Sequence, residues 1–376
     1  MPFADRRFGP VGLLSAVFLL CSPALHAAQR WDHGEPSSHE QFMLELVNRA
    51  RANPLAEAVR LGIDLNAGLP LGTITTLPKP PLAFNRPLIS AARGHSQWML
   101  DADIFSHTGA GGSDMAARMR AAGYVFSGSW QAAENIAWSG TSATVDLTRT
   151  TQTLHDNLIR SAGHRENIMN GSLDEIGIGL LTGAFISAGR SYNALMGTQN
   201  FARSDSTPGP MALGVVYRDA DGNGFYTPGE GVAGLTVSSE PAGSYFAVTS
   251  ASGGYAFPLP AAAGTFSVVV SGAGLAQPLR RTVVAVGTNV KSDFSLGAAS
   301  STGTVEFVRG TQRFSPTGNF QSNIRGPVGH TATILGSSDL RNWTPVTTVT
   351  FATSTVTFTD PQPSARRRLY RAQVVP

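Results

Sequence analysis

The pattern of hydrophobic and polar positions divides the chain into a mainly helical region and a later region of short strands. Behind a capping-box spacing from Ser38 to Gln41, apolar residues recur every three or four positions, which predicts an amphipathic helix that ends at Asn53-Pro54. The same periodicity predicts three further helices, at about 87–100, 114–122 and 144–160. Gly, Pro and Thr are frequent between 62 and 81, so this stretch is predicted to be a long loop.

Strand-like patterns follow these helices. Apolar runs at 176–181 and 192–201 flank a Gly-containing stretch and predict a β-hairpin, so the first domain is predicted to be α+β. A linker rich in Ser, Thr, Pro and Gly spans 204–210. After it, turn residues separate short β-type runs at the spacing of a β-sandwich: 213–217, 235–239, 255–259, 265–270, 281–286, 331–335, 346–351 and 355–358.

These patterns predict a multidomain chain, with an α+β domain at 36–204, a β-sandwich at 211–298 and a small β module at 301–376. Residues 1–28 have the features of a secretory signal peptide: an early Arg pair, an apolar run and a small-residue end at Ala27-Ala28. A membrane anchor is the alternative, but the apolar run is shorter than the roughly 20 residues of a spanning helix. We therefore expect export to the extracellular or periplasmic space and no transmembrane segment in the mature chain.

The single cysteine, Cys21, lies inside this predicted signal peptide. A mature chain without thiols has no disulfide, no cysteine nucleophile and no thiolate metal site. The formal net charge of +3 is scattered along the chain, and no nucleic-acid-binding motif is present, so no nucleic-acid partner is expected.

Three titratable residues, His107, Glu134 and His164, each lie in a short motif beside apolar residues that should be buried. A carboxylate close to imidazoles suits an acid/base pair or a set of metal ligands. Spacing along the chain does not establish that the three side chains meet.

The motifs around these residues occur in an order that resembles the CAP superfamily, which comprises cysteine-rich secretory proteins, venom antigen-like allergens and plant pathogenesis-related proteins. The resemblance is strongest to its bacterial secreted branch and covers about 38–203. The motifs that carry it are Leu46-Val-Asn-Arg-Ala-Arg-Ala-Asn-Pro54, Phe105-Ser-His-Thr108, Glu134-Asn-Ile-Ala137, Ser161-Ala-Gly-His-Arg165, Asn167-Ile-Met169 and Ile176-Gly-Ile-Gly179.

The resemblance implies an α-β-α sandwich with a cleft in which two histidines and one or two acidic residues converge, and it assigns three of these places to His107, Glu134 and His164. The second acidic residue of the eukaryotic branch has no counterpart here. His155 is a candidate for the fourth place, although a histidine on an amphipathic helix is more often a surface or core-edge residue. We expect His95 to be a structural residue satisfied by a backbone carbonyl, and His33 to lie at the surface.

Two function classes remain for this domain. The resemblance favours binding of a small hydrophobic ligand, a lipid or sterol, or of a cell-surface component. The alternative is a metal-dependent extracellular hydrolase, protease-like and tethered by the β modules, since two imidazoles and a carboxylate are able to hold zinc or another divalent metal. No His-Glu-x-x-His helix and no Gly-x-Ser-x-Gly elbow is present, so we lean towards binding. A purely adhesive protein with a vestigial cleft is a third reading.

A second site is predicted at 219–230, which matches every position of the calcium-loop pattern Asp-x-Asp/Asn-x-Asp/Asn-Gly-x5-Glu. Oxygen ligands at alternate positions converge on one ion and suit calcium better than zinc. Predicted strands flank the loop, so it is not an EF-hand and resembles instead the B-type repeats of Gram-positive adhesins and carboxypeptidase-regulatory-like modules. A metal-free Asp/Gly-rich turn is the alternative. The predicted ligands are Asp219, Asp221, Asn223, the Phe225 carbonyl, Thr227 and Glu230.

Near the C-terminus, a motif from Ser337 to Trp343 resembles a small β module of secreted bacterial proteins. Trp343 and Tyr370 are predicted to be core aromatics of this module.

Overall fold

The computed structural model describes residues 27–296, 305–316, 318–326, 331–351, 353, 355–360 and 368–375. Apart from Ala27 and Ala28, the predicted signal peptide lies outside the described residues, as does the stretch that joins the predicted second and third domains. Among the described residues, no helix combines the length and the apolar character needed to cross a membrane.

Helices dominate the N-terminal part, which we call the first unit (residues 36–204). In chain order, with the short strand that precedes this unit, the elements are β1 (Gln29–Arg30), α1 (Ser38–Ala52), α2 (Pro54–Leu61), β2 (Ala83–Phe84), α3 (Arg86–Ala102), α4 (Met115–Ala121), β3 (Trp130–Thr141), α5 (Leu147–Arg160), α6 (Ala162–Met169), β4 (Glu175–Ser187) and β5 (Arg190–Ser204).

All four predicted helices are present, with one correction and two additions. The capping box lies one residue earlier than predicted: the Ser37 hydroxyl accepts from the Glu40 N–H, and the Glu40 carboxylate accepts from the Ser37 N–H at 2.7 Å. Helices α2 and α6 were not predicted. Asn53 ends α1 and also caps α2 through its side chain, so a residue typical of a helix stop also begins the next helix. Ser161 likewise separates α5 from α6.

The first unit is a mixed sheet, in the order β2-β4-β5-β3, with helices on both faces. The predicted hairpin is confirmed, because β4 and β5 pair antiparallel from Glu175↔Ala202 to Ser187↔Arg190. On one face, Gly177 and Gly179 let the α3 backbone lie directly on β4: a Cβ built on Gly177 would lie 1.9 Å from the Leu88 carbonyl carbon. The alternating Ile176 and Ile178 belong to the core on the opposite face, with residues of α1 and α5.

The region after the linker is all β, as predicted. Its strands are β6 (Met211–Tyr217), β7 (Thr236–Glu240), β8 (Tyr245–Val248), β9 (Gly254–Pro258), β10 (Ala263–Ser271), β11 (Leu279–Val286), β12 (Val290–Lys291) and β13 (Phe294–Ser295). They form two sheets around one core, which includes Val237, Phe257 and Val268.

One strand of this region comes from the other end of the chain. Strand β1 pairs parallel with β8, through Gln29↔Tyr245 and Arg30↔Phe246. Trp31 follows β1 and meets Tyr245 edge-on at 5.2 Å between ring centroids. We call β1, its flanking residues to His33, and residues 211–296 the second unit. In sequence, therefore, the first unit is inserted between two parts of the second, which come together in space through β1 and β8.

Helix α1 lies between the two units. All residues from Glu40 to Asn48 are buried, so no face of this stretch meets solvent. The apolar periodicity predicts only the face that packs on the first unit. On the other side, Phe42 and Leu46 share a core cluster with Val215, Tyr217 and Tyr226 of the second unit.

Polar contacts also join the units. Lys291 pairs with the buried Glu45 carboxylate at 2.7 Å and also with Asp293. Asn289 donates to the carbonyls of Pro81 and Asp174, at 3.1 and 2.7 Å. The prediction that His33 lies at the surface is wrong: its side chain is buried at this junction, where Nε2 lies 3.1 Å from the Gly254 carbonyl oxygen. Burial lowers the pKa of His33 to about 4, against the opposing effect of this hydrogen bond.

The last module is again all β, with strands β14 (Glu306–Phe307), β15 (Arg313–Phe314), β16 (Phe320–Arg325), β17 (Thr331–Ser337), β18 (Thr344–Thr350), β19 (Thr355–Asp360) and β20 (Leu369–Val375). Tyr370 packs on its core and stacks on Phe320 at 4.9 Å, as predicted. Trp343 differs from its prediction, because it is half-buried outside this core cluster, with the Arg371 guanidinium 4.5 Å from its ring.

Candidate ligand cleft and calcium loop

Glu134 is the centre of the predicted cleft. It lies on β3 and its side chain is only 2% exposed. His107 Nδ1 lies 2.9 Å from Glu134 Oε1, and Arg118 Nη2 donates to Oε2 at 2.6 Å. Asn200, which is opposite Glu134 on β5, donates to Oε2 at 3.1 Å when its amide nitrogen faces the carboxylate. Two of the predicted site residues, His107 and Glu134, are therefore in direct contact.

His107 is the solvent-facing member of this pair, with 57% of its side chain exposed. Because Nδ1 faces Glu134, the opposite ring nitrogen, Nε2, points away from the carboxylate. The hydrogen bond at Nδ1 fixes the orientation of the ring and leaves Nε2 available to bind a ligand. The preceding residues Ile104 and Phe105 are exposed apolar side chains, at 45% and 43%.

His95 lies behind the pair on α3. Its Nε2 is 3.0 Å from the Ser106 carbonyl oxygen, which confirms the predicted backbone partner, and 3.9 Å from Glu134 Oε1. Since a carbonyl only accepts, Nε2 carries the proton and Nδ1 is the unprotonated nitrogen. This Nδ1 is buried and has no hydrogen-bond partner among the described residues. Burial lowers the pKa of His95, partly offset by the Glu134 carboxylate.

His164 lies on α6, which its backbone carbonyl and the side chain of Asn167 connect to β3. The Asn135 side chain donates to the His164 carbonyl at 3.2 Å, and Asn167 donates to Asn135 Oδ1 at 2.9 Å. These amides fasten α6 to β3, one residue after Glu134. Burial, with a smaller effect of the neighbouring His107, lowers the pKa of His164.

His155, the candidate for the fourth place, lies elsewhere in the described structure. It is fully buried on α5, and its Nε2 is 2.9 Å from Glu57 Oε1 on α2. Arg49 and Arg60 also pair with this carboxylate, at 3.0 and 2.6 Å. Burial lowers the pKa of His155 despite the carboxylate beside it. The hydrogen bonds of His155 therefore connect α5 to α2, and they do not reach Glu134.

A cleft of about 480 Å³ opens above Glu134. Polar groups are concentrated on the His107 and Glu134 side, whereas Met115, Ala132 and Ala133 supply apolar wall. Such a cleft offers an imidazole and an anchored carboxylate to the polar part of a ligand, and apolar surface to the rest. The lining residues are His107, Thr108, Asp114, Met115, Ala132, Ala133, Glu134 and Asn167.

The arrangement is not preformed for zinc. Both oxygens of Glu134 already have partners, and one partner is the guanidinium of Arg118. Among the described residues, His107, Glu134 and His164 do not form a set of ligand atoms that all lie within 4.8 Å of one another. A zinc site here would need Glu134 to exchange Arg118 for the metal, so zinc stays a prediction.

Several residues of the site were not predicted. Arg118 lies on α4, and the only signal for it is its place in a predicted helix between the His107 and Glu134 motifs. Asn135, Arg165 and Asn167 had a stronger signal, because they belong to the sequence motifs that contain or adjoin Glu134 and His164. Besides the two amides above, Arg165 is fully buried and donates to backbone carbonyls of Leu65, Ala67 and Ile159, which holds the 62–69 loop against α5 and α6.

The predicted calcium loop is a closed loop between β6 and β7, sealed by a bridge between Tyr217 and Gly231. Asp219, Asp221 and Glu230 bring carboxylate oxygens within 4.8 Å of one another. Glu230 accepts from the Ala220 and Thr227 N–H groups, both at 2.8 Å. Gly222 and Gly224 adopt positive φ, at 71° and 72°, which permits the sharp turn.

The side chains of the loop offer oxygen ligands, the type that a hard cation such as calcium prefers. Asp219 Oδ1 is buried and has no hydrogen-bond partner among the described residues, so it is free to ligate. The Asn223 amide and the Thr227 hydroxyl both donate to Asp221 Oδ2, at 2.9 and 3.0 Å, so Asp221 is held within the loop by two of the other predicted ligands. Ligation by Asn223 requires its amide to turn so that Oδ1 faces the ion.

Comparison with known proteins shows that part of the chain is similar to one family. The family model of the cysteine-rich secretory protein family, CAP, matches residues 44–194. A search of curated proteins found no match.

Two solved structures are similar in part. An extracellular protein containing a SCP domain from Bacillus anthracis str. Ames is 22% identical, over 44% of this chain and 40% of that chain, with a TM-score of 0.28. The BSP domain of a biofilm associated protein is 13% identical, over 39% and 23%, with a TM-score of 0.13. The chain thus spans about two fifths of the first protein, and scores this low carry no structural argument. The family match supports the predicted resemblance to the CAP superfamily over residues 44–194 of this chain.

Proposed function

We propose that this is an exported protein whose CAP domain binds an amphipathic small ligand, a lipid, a sterol or a lipid-like cell-surface component, in the cleft above Glu134. The observation that carries the proposal is the anchored Glu134–His107 pair beside exposed apolar side chains. A buried carboxylate held by Arg118 positions the exposed imidazole for the polar group of a ligand. Exposed Ile104 and Phe105, three and two residues before His107, supply apolar surface.

The same pair favours binding over hydrolysis. A general base needs a carboxylate or imidazole free to take a proton from water. Here Glu134 is engaged by Arg118 and by His107, which leaves His107 Nε2 as the free base of the pair, and the cleft-lining residues that the structure describes include no serine or cysteine nucleophile beside it. We therefore assign Glu134 an orienting role towards His107.

Removal of the His107 imidazole is expected to weaken ligand binding at least tenfold without changing the fold, because most of this side chain faces solvent. His107→Ala and Glu134→Gln are compared with wild type by titration with a fluorescent sterol and with phosphatidylglycerol vesicles. Zinc content and any zinc-induced rise in melting temperature are measured on the same samples. His39→Ala, at a half-exposed histidine of α1, is the matched control.

Equal affinity of all variants for both probes would contradict the cleft as the binding site. Stoichiometric zinc that is lost in His107→Ala would instead support the metal-dependent reading of the site.

We further propose that calcium binds at 219–230 and stabilises the second unit. An ion that binds only the folded loop stabilises it by about 2.7 kcal/mol at a free concentration of 100 times Kd. Chelation of the full-length protein is therefore expected to lower its melting temperature by several degrees. Asp221→Asn should remove the calcium effect, whereas Asp101→Asn, at an exposed aspartate of α3, should retain it. An unchanged melting temperature in chelator would show an ordinary turn.

A further inference from the structure

The outward-facing side of the calcium loop contacts the CAP domain. The Phe225 ring meets the Phe42 ring of α1 edge-on, at 6.2 Å between centroids. The Arg49 guanidinium of the same helix lies 5.4 Å from the Phe225 ring. Tyr226 is 1% exposed and its hydroxyl donates to the Ser38 carbonyl at 3.3 Å. Two successive loop residues thus pack on both ends of α1.

The opposite side of α1 is bound to the CAP sheet. The Glu40 carboxylate accepts from the Leu180 N–H of β4 at 3.3 Å and from Arg93 of α3 at 2.8 Å. Asn48 exchanges two hydrogen bonds with the backbone of Leu82, at 3.0 and 2.8 Å. Any displacement of α1 therefore disturbs the domain that carries the ligand cleft.

The loop places three carboxylates together, so without a cation they repel one another. If the loop opened to relieve this repulsion, Phe225 and Tyr226 would move with it, because they lie between the predicted ligands Asn223 and Thr227. A cation that closes the loop has the opposite effect. The loop conformation that binds calcium is also the one in which these two rings pack against α1.

We propose that calcium at 219–230 regulates the CAP domain, by holding the loop against α1 so that ion binding and the stability of the CAP domain are coupled. This inference rests on the proposed calcium site. Coupling of this kind is reciprocal, because a ligand that binds one state of a shared element stabilises every part that depends on that state.

The test is hydrogen exchange of the full-length protein, read by mass spectrometry with and without calcium, with calorimetry as a separate measure of calcium binding. Calcium is expected to slow amide exchange at least tenfold in peptides of α1 and of β4–β5, in addition to 211–296. Phe42→Leu removes the ring that meets Phe225 but leaves the loop intact, so it should bind calcium and lose this protection of the CAP peptides. Phe314→Leu, at a 70% exposed phenylalanine, is the matched control.

Tyr226→Phe serves as a second variant if Phe42→Leu does not fold, since it removes only the hydroxyl that bonds Ser38. Its expected effect is a reduced protection confined to the N-terminal turn of α1. Calcium binding with protection confined to 211–296 would overturn the coupling and leave the calcium site standing. Absence of calcium binding by calorimetry would overturn both.

Discussion

Replacement of Gly177 by alanine is expected to destabilise the protein by more than about 3 kcal/mol, enough to prevent folding of a marginally stable chain. A Cβ at this position would lie 1.9 Å from the Leu88 carbonyl carbon and 2.3 Å from the Ile89 nitrogen. Both are backbone atoms of α3, so no side-chain rotation relieves the clash. Helix α3 would have to move away from β4. Because α3 carries His95 and precedes the His107 motif, this movement would also disturb the cleft.

Equilibrium unfolding in guanidinium chloride, followed by circular dichroism, measures this effect. Gly163→Ala is the matched control, because this exposed glycine in α6 has open space around it and alanine favours helix. Equal unfolding midpoints for the two variants would contradict the close approach of α3 to β4.

Replacement of Lys291 by methionine is expected to cost about 3 kcal/mol. The change leaves the Glu45 carboxylate buried, with Gln41 as its remaining partner, at 2.8 Å. Loss of one member of a buried ion pair usually costs about 3–5 kcal/mol, and the 22% exposure of the Lys291 side chain places this case at the lower end.

The pH dependence identifies the cause. Burial raises the pKa of Glu45, and the loss of Lys291 removes the main opposing charge. A carboxyl whose pKa is raised in the folded state holds its proton to higher pH than in the unfolded state, so stability falls as the pH rises. The cost of Lys291→Met should therefore be larger at pH 7 than at pH 5.

Urea unfolding at both pH values checks this expectation, with Lys79→Met as the control lysine. The double variant Glu45→Leu with Lys291→Met should recover most of the loss, because no unpaired charge remains. A cost that is the same at both pH values would assign the effect to lost packing of the lysine stem.

What could be predicted from the sequence was mostly local. The hairpin of β4 and β5, the four helices and the carboxylate spacing of 219–230 each depend on residues within one short segment. The contact between His107 and Glu134 required the family resemblance, because 27 residues separate them. Arg118 could not be identified as a partner of Glu134, since no periodicity links a helix residue to a strand 16 positions later.

Burial by distant segments was beyond such reasoning. Periodicity places Phe42 on an apolar face but does not show that the remaining faces of α1, with Glu45 among them, are also covered. His33 has no local signal of burial, since its partner Gly254 is 221 positions away. His155 is the converse case. It is close to His164 in sequence, which suggested that both line one cleft, but its hydrogen bond goes to Glu57 instead.

The pairing of β1 with β8 has a consequence for the order of folding. The segment that contributes β1 and His33 is made first, yet its partners appear only when synthesis reaches Tyr245 and Gly254. His33 and its partner Gly254 are 221 positions apart, so this segment has no sheet until the far part of the chain is in place. The whole first unit lies between them, and until then the side of α1 that carries Phe42 is uncovered. Completion of the second unit is therefore the step that covers α1 and gives β1 its neighbour.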